Sequence, residues 1–275
     1  MKMSKKKQKE EATMQYLQGK KAYETRNEEI AYSTLEQALH YFKNSEEHVI
    51  LADIHRILAE IFFEKGNMIE SRNHYKRAYL AFKNYGHKIG MADCYDNIAI
   101  SFMLQDEYRH AEEYQTNALK LRKGTPDKKG RARGLKNLAI IIYKKEDDGE
   151  RAIKLLKEAI ELAQKSKEPQ LVVNIALDQS KILNKLGKFE EAMKAYIIAR
   201  RYSKKYSIPL SEEREEEFGD LLLNLGLKRY DDGSLEDALK YLKNAALIFK
   251  AKNNPLLETI EPTIQKIEEH LKKNK

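Results

Sequence analysis

Cysteine, tryptophan and proline are scarce in this chain, whose 275 residues include 1 Cys, no Trp, 5 Pro and 12 Gly. The single cysteine excludes a disulfide scaffold, and the few glycines and prolines exclude a collagen-like or Pro/Gly-rich disordered chain. The sequence has no apolar run of about 18 residues, which a membrane-spanning helix would need. No apolar segment follows the basic start, as it would in a secretory signal. We therefore expect a soluble cytoplasmic protein that does not contact membranes.

Motifs for catalysis and metal binding are also missing. The 7 histidines form no His-Glu-x-x-His motif and no Cys/His ligand set, and the chain has no P-loop, dinucleotide-binding glycine run or nucleophile elbow. Asp147-Asp148-Gly149 and Asp231-Asp232-Gly233 resemble fragments of calcium loops, but the remaining ligands are absent. The sequence predicts neither an enzyme nor a cofactor or metal site.

The net charge of +8 is unevenly distributed. Five lysines lie within the first nine residues, which leaves about +3 for the remainder; they are Lys2, Lys5, Lys6, Lys7 and Lys9. We predict that residues 1–10 form a basic disordered tail. A contact with nucleic acid is the alternative, but no zinc-finger spacing, basic zipper or RNA-recognition motif accompanies the tail, so a nucleic-acid partner is not expected.

Small residues recur at a fixed period along the chain, and such self-similarity is the strongest indication of architecture. Leu58-Ala59, Ile98-Ala99 and Leu138-Ala139 follow one another at steps of 40 residues. Counting less regular copies, six repeats each carry three small positions. The first positions are Gly19, Ala59, Ala99, Ala139, Ser180 and Gly226; the second are Ala31, Ser71, Ala111, Ala152, Ala192 and Ala238; the third are Ala38, Ala78, Ala118, Ala159, Ala199 and Ala245.

Three small positions per repeat allow two helices to pack closely, while aromatic residues between them fill the remaining space. Turn residues such as Gly66-Asn67 and Gly187-Lys188 separate the two helices. The sequence therefore predicts an all-α, right-handed solenoid of six helical hairpins over residues 11–253. Residues 254–275 form a predicted capping helix, whose apolar residues share one face; they are Leu257, Ile260, Ile264, Ile267 and Leu271.

The motif Leu58-Ala59, Phe62, Gly66, Tyr75 and Ala78 resembles the tetratricopeptide repeat (TPR). The step of 40 residues exceeds the usual step of about 34. Long repeats of this kind resemble those of peptide-pheromone receptors of Gram-positive bacteria, of the Rap, NprR and PlcR type, and of eukaryotic adaptors such as kinesin light chains. The receptors carry a helix-turn-helix or a three-helix effector bundle before the repeats, and this sequence shows neither. DNA binding and response-regulator phosphatase control are therefore not expected.

The resemblance implies that a peptide or protein partner binds in a concave groove lined by the first helix of each hairpin, with inward amides bonding the peptide backbone. The expected contacts include the residue two positions before several of the first small residues. The full predicted set is Arg56, Asn97, Arg133, Asn137, Tyr143, Asn174, Asp178 and Asn224. The alternative is that the amides only tie neighbouring hairpins together.

The carboxylate clamp of chaperone-tail cochaperones is a second way in which such a groove binds peptides. The positions of Arg56, Asn97 and Arg133 fit it in part. Glu60 stands where the clamp has an amide and Asn137 where it has a base, so a terminal carboxylate would be repelled and would lose one ion pair. A complete clamp is not expected.

We thus expect a non-catalytic peptide- or protein-binding scaffold, in the form of a bacterial regulatory or peptide-sensing (quorum-sensing) protein. The alternative is an assembly adaptor or cochaperone that docks a folded partner or its C-terminal tail. The sequence does not decide between a monomer and a homodimer. The step from Ala199 to Ala245 is six residues longer than the others, and the excess in residues 200–217 is either a longer linker or a hinge.

Overall fold

The computed structural model describes residues 4–273, and thirteen α-helices form its regular structure over that range. The helices are α1 (Lys5–Glu24), α2 (Glu28–Phe42), α3 (His48–Glu64), α4 (Met68–Asn84), α5 (Lys88–Met103), α6 (Tyr108–Arg122), α7 (Lys128–Glu146), α8 (Gly149–Lys165), α9 (Pro169–Lys185), α10 (Phe189–Tyr206), α11 (Glu212–Asp231), α12 (Leu235–Ala251) and α13 (Leu256–Lys273). Residues 4–273 contain no β-strand. The predicted all-α helical-repeat class is confirmed.

The described residues fall into two compact units that meet in sequence between Asp148 and Gly149. The first unit contains α1 to α7 and the second α8 to α13. The predicted array of residues 11–253 is thus divided at the turn that follows α7. Among the described helices, none combines the length and the apolar character that a membrane span requires.

The small residues lie where paired helices meet, as the repeat pattern predicts. In the first unit Ala31, Ala59 and Ala99 are completely buried. A Cβ atom built on Gly226 of α11 would lie 2.7 Å from Cγ of Leu242 on α12, so glycine permits the close approach of these two helices. Ser180 of α9 adds a hydrogen bond, because its Oγ donates to the carbonyl of Ala192 on α10 at 2.9 Å.

Two neighbouring hairpins of the first unit share one arrangement of aromatic rings. The imidazoles of His55 and His74 are 5.2 Å apart, and His74 stacks on Phe62 at 5.3 Å. Forty residues later the equivalent ring separations are 5.4 and 5.6 Å; the rings are those of Tyr95, Phe102 and Tyr114. A histidine pair therefore replaces a tyrosine pair in the earlier hairpin. Its Nδ1 atoms lie 3.1 Å apart, within hydrogen-bond distance.

Helix α13 covers the end of the second unit. Ile260 and Ile267 are buried, and they pack with Phe249 and Leu242 of α12. The other apolar residues of the predicted face, Leu257, Ile264 and Leu271, pack against the same clusters. The predicted capping arrangement at this end agrees with the packing, since a helical repeat needs an element that shields its last apolar surface.

The start of the chain differs from the predicted disordered tail. Helix α1 begins at Lys5, and the Ser4 side chain accepts a hydrogen bond from the backbone N–H of Lys7. Lys9 forms an ion pair with Glu47, which precedes α3. Capping and this pairing extend helical structure through residues 5–10. Residues 1–3 of the predicted tail lie outside the described residues.

The longer step before the last hairpin is taken up mostly by helix. Helix α10 extends to Tyr206, α11 begins at Glu212, and only residues 207–211 connect them. The buried Ser203 anchors this connection, because its Oγ donates to the carbonyl of Ile208 at 2.7 Å. The Ile208 N–H donates in turn to the Ser203 carbonyl at 2.9 Å.

Candidate functional site

The eight predicted binding residues divide between the two units. The first unit holds Arg56 on α3, Asn97 on α5, and Arg133, Asn137 and Tyr143 on α7; the second holds Asn174 and Asp178 on α9 and Asn224 on α11. Some of these residues bond side chains of neighbouring helices, whereas others have hydrogen-bond donors or acceptors without a partner among the described residues.

Asn97 and Arg133 are held at the junction of α5 and α7 by one aspartate. The Asn97 Nδ2 donates to the Asp93 backbone carbonyl at 3.0 Å, within its own helix. Arg133 Nη2 donates to Asp93 Oδ1 at 3.0 Å and lies 3.5 Å from Asp96 Oδ2. One N–H of the Asn97 amide is therefore engaged, and its Oδ1 accepts no hydrogen bond from another described residue.

A buried arginine of α6 organises these aspartates. Arg122 is completely buried, and its Nη2 lies 2.5 Å from Asp93 Oδ1 and 2.8 Å from Asp96 Oδ2. Its Nε donates to Asp127, the N-cap of α7, at 2.8 Å. Burial lowers the pKa of Arg122, but the surrounding carboxylates outweigh burial and raise it. This ion network joins α5, α6 and the start of α7.

Two glycines of α7 make room for the network. A Cβ atom on Gly130 would collide with Asp127 and Arg122, and a Cβ atom on Gly134 would lie 3.1 Å from the Gln115 Nε2. Gln115 is buried, and its Nε2 donates to Asp96 Oδ1 at 2.6 Å. Sequence reasoning missed these network members. Glycines four residues apart on one helix face were the available signal, since they mark a close approach of other groups.

Asn137 differs from the other predicted amides because it is buried without a complete set of partners. It is only 5% exposed, and its Nδ2 donates to no described residue. An unpaired buried amide donor costs about 1–3 kcal/mol, so such groups usually have a partner. One and two turns nearer the end of α7 lie Ile140 and Tyr143, both half-buried. Burial raises the pKa of Tyr143.

Arg56 is occupied within the first unit. Its guanidinium binds Asp53 Oδ1 at 2.6 Å and Glu60 Oε1 at 2.8 Å. Asp53 also accepts a hydrogen bond from Tyr16 at 2.7 Å and an ion pair from Lys20 at 2.9 Å. The Arg56 charge is thus neutralised by carboxylates of its own helix. This arrangement does not supply the free base that a carboxylate clamp would need.

In the second unit the predicted residues are engaged with other side chains. Asp178 is 9% exposed and pairs with Arg214 of α11 at 2.6 Å. The Asn224 Nδ2 donates to Asn184 Oδ1 of α9 at 3.0 Å. Asn174 is exposed, and its Oδ1 accepts a bond from Gln170 at 3.2 Å. Asp178 and Asn224 therefore tie α9 to α11, as the alternative interpretation of the amides predicts.

Comparison with known proteins supports the repeat interpretation. The tetratricopeptide repeat family model matches residues 50–124. No curated protein has a sequence that matches this chain. The apo form of RapI has a TM-score of 0.69 and 18% identity over 96% of this chain and 99% of that chain.

Two further structures have a similar fold. Aspartyl phosphate phosphatase F from Bacillus subtilis has a TM-score of 0.67 and 16% identity, covering 94% of this chain and 70% of that chain. A Rap protein complexed with competence and sporulation factor has a TM-score of 0.60 and 16% identity, covering 96% and 76%. Residues 50–124 thus match the tetratricopeptide repeat, and the fold of the chain is similar to that of these Rap structures.

Proposed function

We propose that the chain is a non-catalytic scaffold that binds an extended peptide on α5 and α7 of its first unit, and that it acts as a cytoplasmic, peptide-sensing regulator in a bacterium. The observation that carries this proposal is the unpaired, buried Nδ2 of Asn137. It lies 40 residues from Asn97, at the equivalent position of the next repeat.

The two amides complement a peptide backbone in opposite ways. One N–H of Asn97 bonds the Asp93 carbonyl, and its Oδ1 is left to accept a peptide N–H. The Asn137 Nδ2 has no partner among the described residues; it is buried, and it would donate to a peptide carbonyl once the side chain turns toward the ligand. An extended backbone offers both groups in alternation, so a pair of this kind binds it without dictating its side chains.

The neighbouring residues suit the rest of an extended ligand. Ile100 and Met103 of α5, together with Ile140 and Tyr143 of α7, are half-buried apolar residues one and two turns beyond the amides. Burial of ligand side chains against apolar surface supplies binding free energy of about 25 cal/mol per Å². The complex of a Rap protein with competence and sporulation factor supports the same use of this fold.

The test is native mass spectrometry of the protein purified from its own host, which looks for a bound species of roughly 0.5–2 kDa, the size of a short peptide. We expect the species to be lost from Asn137→Ala and Asn137→Asp, which both remove the amide donor. It should be retained by Asn117→Ala, a half-buried asparagine of α6, which serves as the matched control. Circular dichroism confirms that each variant is folded.

Retention of the species by both Asn137 variants, or an empty protein, would contradict the proposal. A co-purifying intact protein in place of a peptide would favour the adaptor function. Once the peptide is sequenced, calorimetry with the synthetic peptide should show an affinity about 5- to 150-fold weaker for Asn137→Ala, because the loss of one hydrogen bond to a buried group costs about 1–3 kcal/mol.

A further inference from the structure

The second unit contains a cavity of about 320 Å³ between α9 and α11. Lys181, Asn184 and Lys185 line it from α9, and Leu256 at the start of α13 also lines it. Ligand sites in proteins span roughly 300–1,000 Å³, so a cavity of this size suits a molecule no larger than one amino acid or a dipeptide.

The charged residues of the cavity fall into a neutralised pair and an open pair. Lys181 lies 2.5 Å from Glu217, which also binds Arg214 at 2.9 Å. Lys185 and Asp220 line the same cavity, and neither forms an ion pair or hydrogen bond with any residue between 4 and 273. Both side chains are exposed, and one cation and one anion therefore face the same half-open volume.

The environment of Asp220 favours a cationic partner. Burial, followed by the charges of Glu216 and Glu217, raises the pKa of Asp220, and only Lys181 opposes them. An added ammonium group would stabilise this carboxylate, because opposite charges at short range favour the ionised form. The lysine across the cavity, Lys185, can receive a carboxylate in the same way.

Amide and apolar groups complete the wall. The hydrogen bond from Asn224 to Asn184 uses one atom of each amide, and it leaves the Asn184 Nδ2 as a donor and the Asn224 Oδ1 as an acceptor. Leu223 and Leu256 supply an apolar surface. A few placed polar groups on an apolar lining are typical of sites for small molecules.

We propose that this cavity binds a small aliphatic zwitterion of the α-amino acid class, with its ammonium group on Asp220, its carboxylate on Lys185 and its side chain against Leu223 and Leu256. The site uses no residue of the proposed peptide contact on α5 and α7. Because it lies in the second unit, either proposal can fail while the other holds.

L-leucine is the probe for the test. Titration of the full chain, followed by amide chemical shifts in NMR spectra, should give a dissociation constant on the order of 0.1–1 mM, as expected for so few ligand atoms. N-acetyl-leucine lacks the ammonium and leucinamide lacks the carboxylate. Each should bind at least about tenfold more weakly, because each loses one charge-assisted contact.

Two variants assign the charges to residues. Asp220→Asn should weaken the affinity for leucine by at least about tenfold, so that leucine and N-acetyl-leucine bind with nearly equal affinity. Lys185→Gln should likewise weaken leucine binding, so that leucine and leucinamide bind with nearly equal affinity. Lys204→Gln on α10, an exposed lysine that does not line the cavity, is the control and should bind like the parent. The dipeptide Leu-Leu separates the two sources of a zwitterion, because tighter binding than leucine identifies a dipeptide and weaker binding identifies a free amino acid.

Two results would overturn the proposal. One is the absence of any shift change with leucine at about 10 mM, well above the expected dissociation constant. The other is leucine binding that both charge variants leave intact, since that would place the ligand elsewhere. Loss of leucine binding with retained capture of a peptide in native mass spectra would reject this site alone.

Discussion

Replacing His55 and His74 by tyrosine should remove most of the pH dependence of stability between about pH 7 and pH 5. Both imidazoles are buried, and their Nδ1 atoms lie 3.1 Å apart. One nitrogen must donate and the other accept, so at least one ring must be neutral and the contact is lost when both rings are protonated. Burial first, then the charges of His74 and Arg77, lower the pKa of His55 to about 3. Burial and Arg77 lower that of His74 to about 4, against an opposing contribution from Glu70.

The sign follows from proton uptake. Between about pH 6.5 and pH 4 the unfolded chain binds a proton on each histidine that the folded chain does not bind, so stability falls as the pH is lowered. From about pH 7 to pH 5 the loss is about 2 kcal/mol per histidine, and about 4 kcal/mol for the pair. The carboxylates with lowered pKa values, such as Asp53 and Asp127, change little over this range because they titrate below it.

The assay is urea denaturation followed by circular dichroism at about pH 7, 6 and 5, with coincidence of two probes as the check for cooperative unfolding. The tyrosine pair copies Tyr95 and Tyr114, which occupy the equivalent positions 40 residues later. If the double variant does not fold, His74→Phe alone should remove about half of the slope. His40→Gln, an exposed histidine of α2, is the matched control and should keep the parent slope.

An equal loss of stability in the parent and in the tyrosine variant between about pH 7 and pH 5 would refute the reasoning, because it would mean that the histidine pair takes up no extra protons on unfolding. The comparison is valid only if the His40→Gln control loses as much stability between these pH values as the parent does.

Two further predictions test the framework around the sites. Gly130→Ala should lower the free energy of unfolding by about 3 kcal/mol despite the better helix propensity of alanine, because its Cβ displaces the buried Arg122 and its carboxylates. Gly134→Ala, whose Cβ meets the flexible Leu119 at 2.9 Å, should lower it much less. Denaturant midpoints of both variants check this, and a Gly130→Ala protein more stable than the parent would contradict it. Ser203→Ala should accelerate hydrogen exchange of the Ile208 amide about fivefold, equivalent to about 1 kcal/mol. Ser166→Ala is the control and should leave this exchange unchanged, because the Ser166 hydroxyl bonds within its own helix end. If residues 203–217 of the parent exchange faster than the flanking helices, the segment acts as a hinge and not as an anchored linker.

The helical hairpins could be predicted because their packing depends on residue size at a regular period. Ala59, Ala99 and Gly226 can be placed from sequence alone, since a bulky side chain at those positions would separate the helices. The start of α1 could not be predicted in the same way. Its helical residues 5–9 depend on a cap at Ser4 and on Glu47, a residue distant in sequence.

The contacts of the candidate site were harder to predict than its positions. Asn97, Asn137 and Asn224 occupy equivalent positions, yet one bonds its own helix, one is unpaired and one bonds Asn184. The repeat period predicts which face a residue occupies, whereas a hydrogen bond depends on the identity of neighbours on other helices. Sequence periodicity therefore indicates candidates, and the partners decide which of them stay open.

Helix α6 carries no residue of the proposed peptide site, but it contacts the helix that presents the Asn97 acceptor. Arg122 of α6 and Arg133 of α7 both hold the Asp93 side chain, and the Asp93 backbone carbonyl takes the donor of Asn97. Gly130 of α7 admits Arg122 to this place. Because a buried ion pair tolerates little displacement, the network fixes α5 against the start of α7. The second helix of the hairpin thus helps to hold α5, which presents the Asn97 acceptor, against the start of α7.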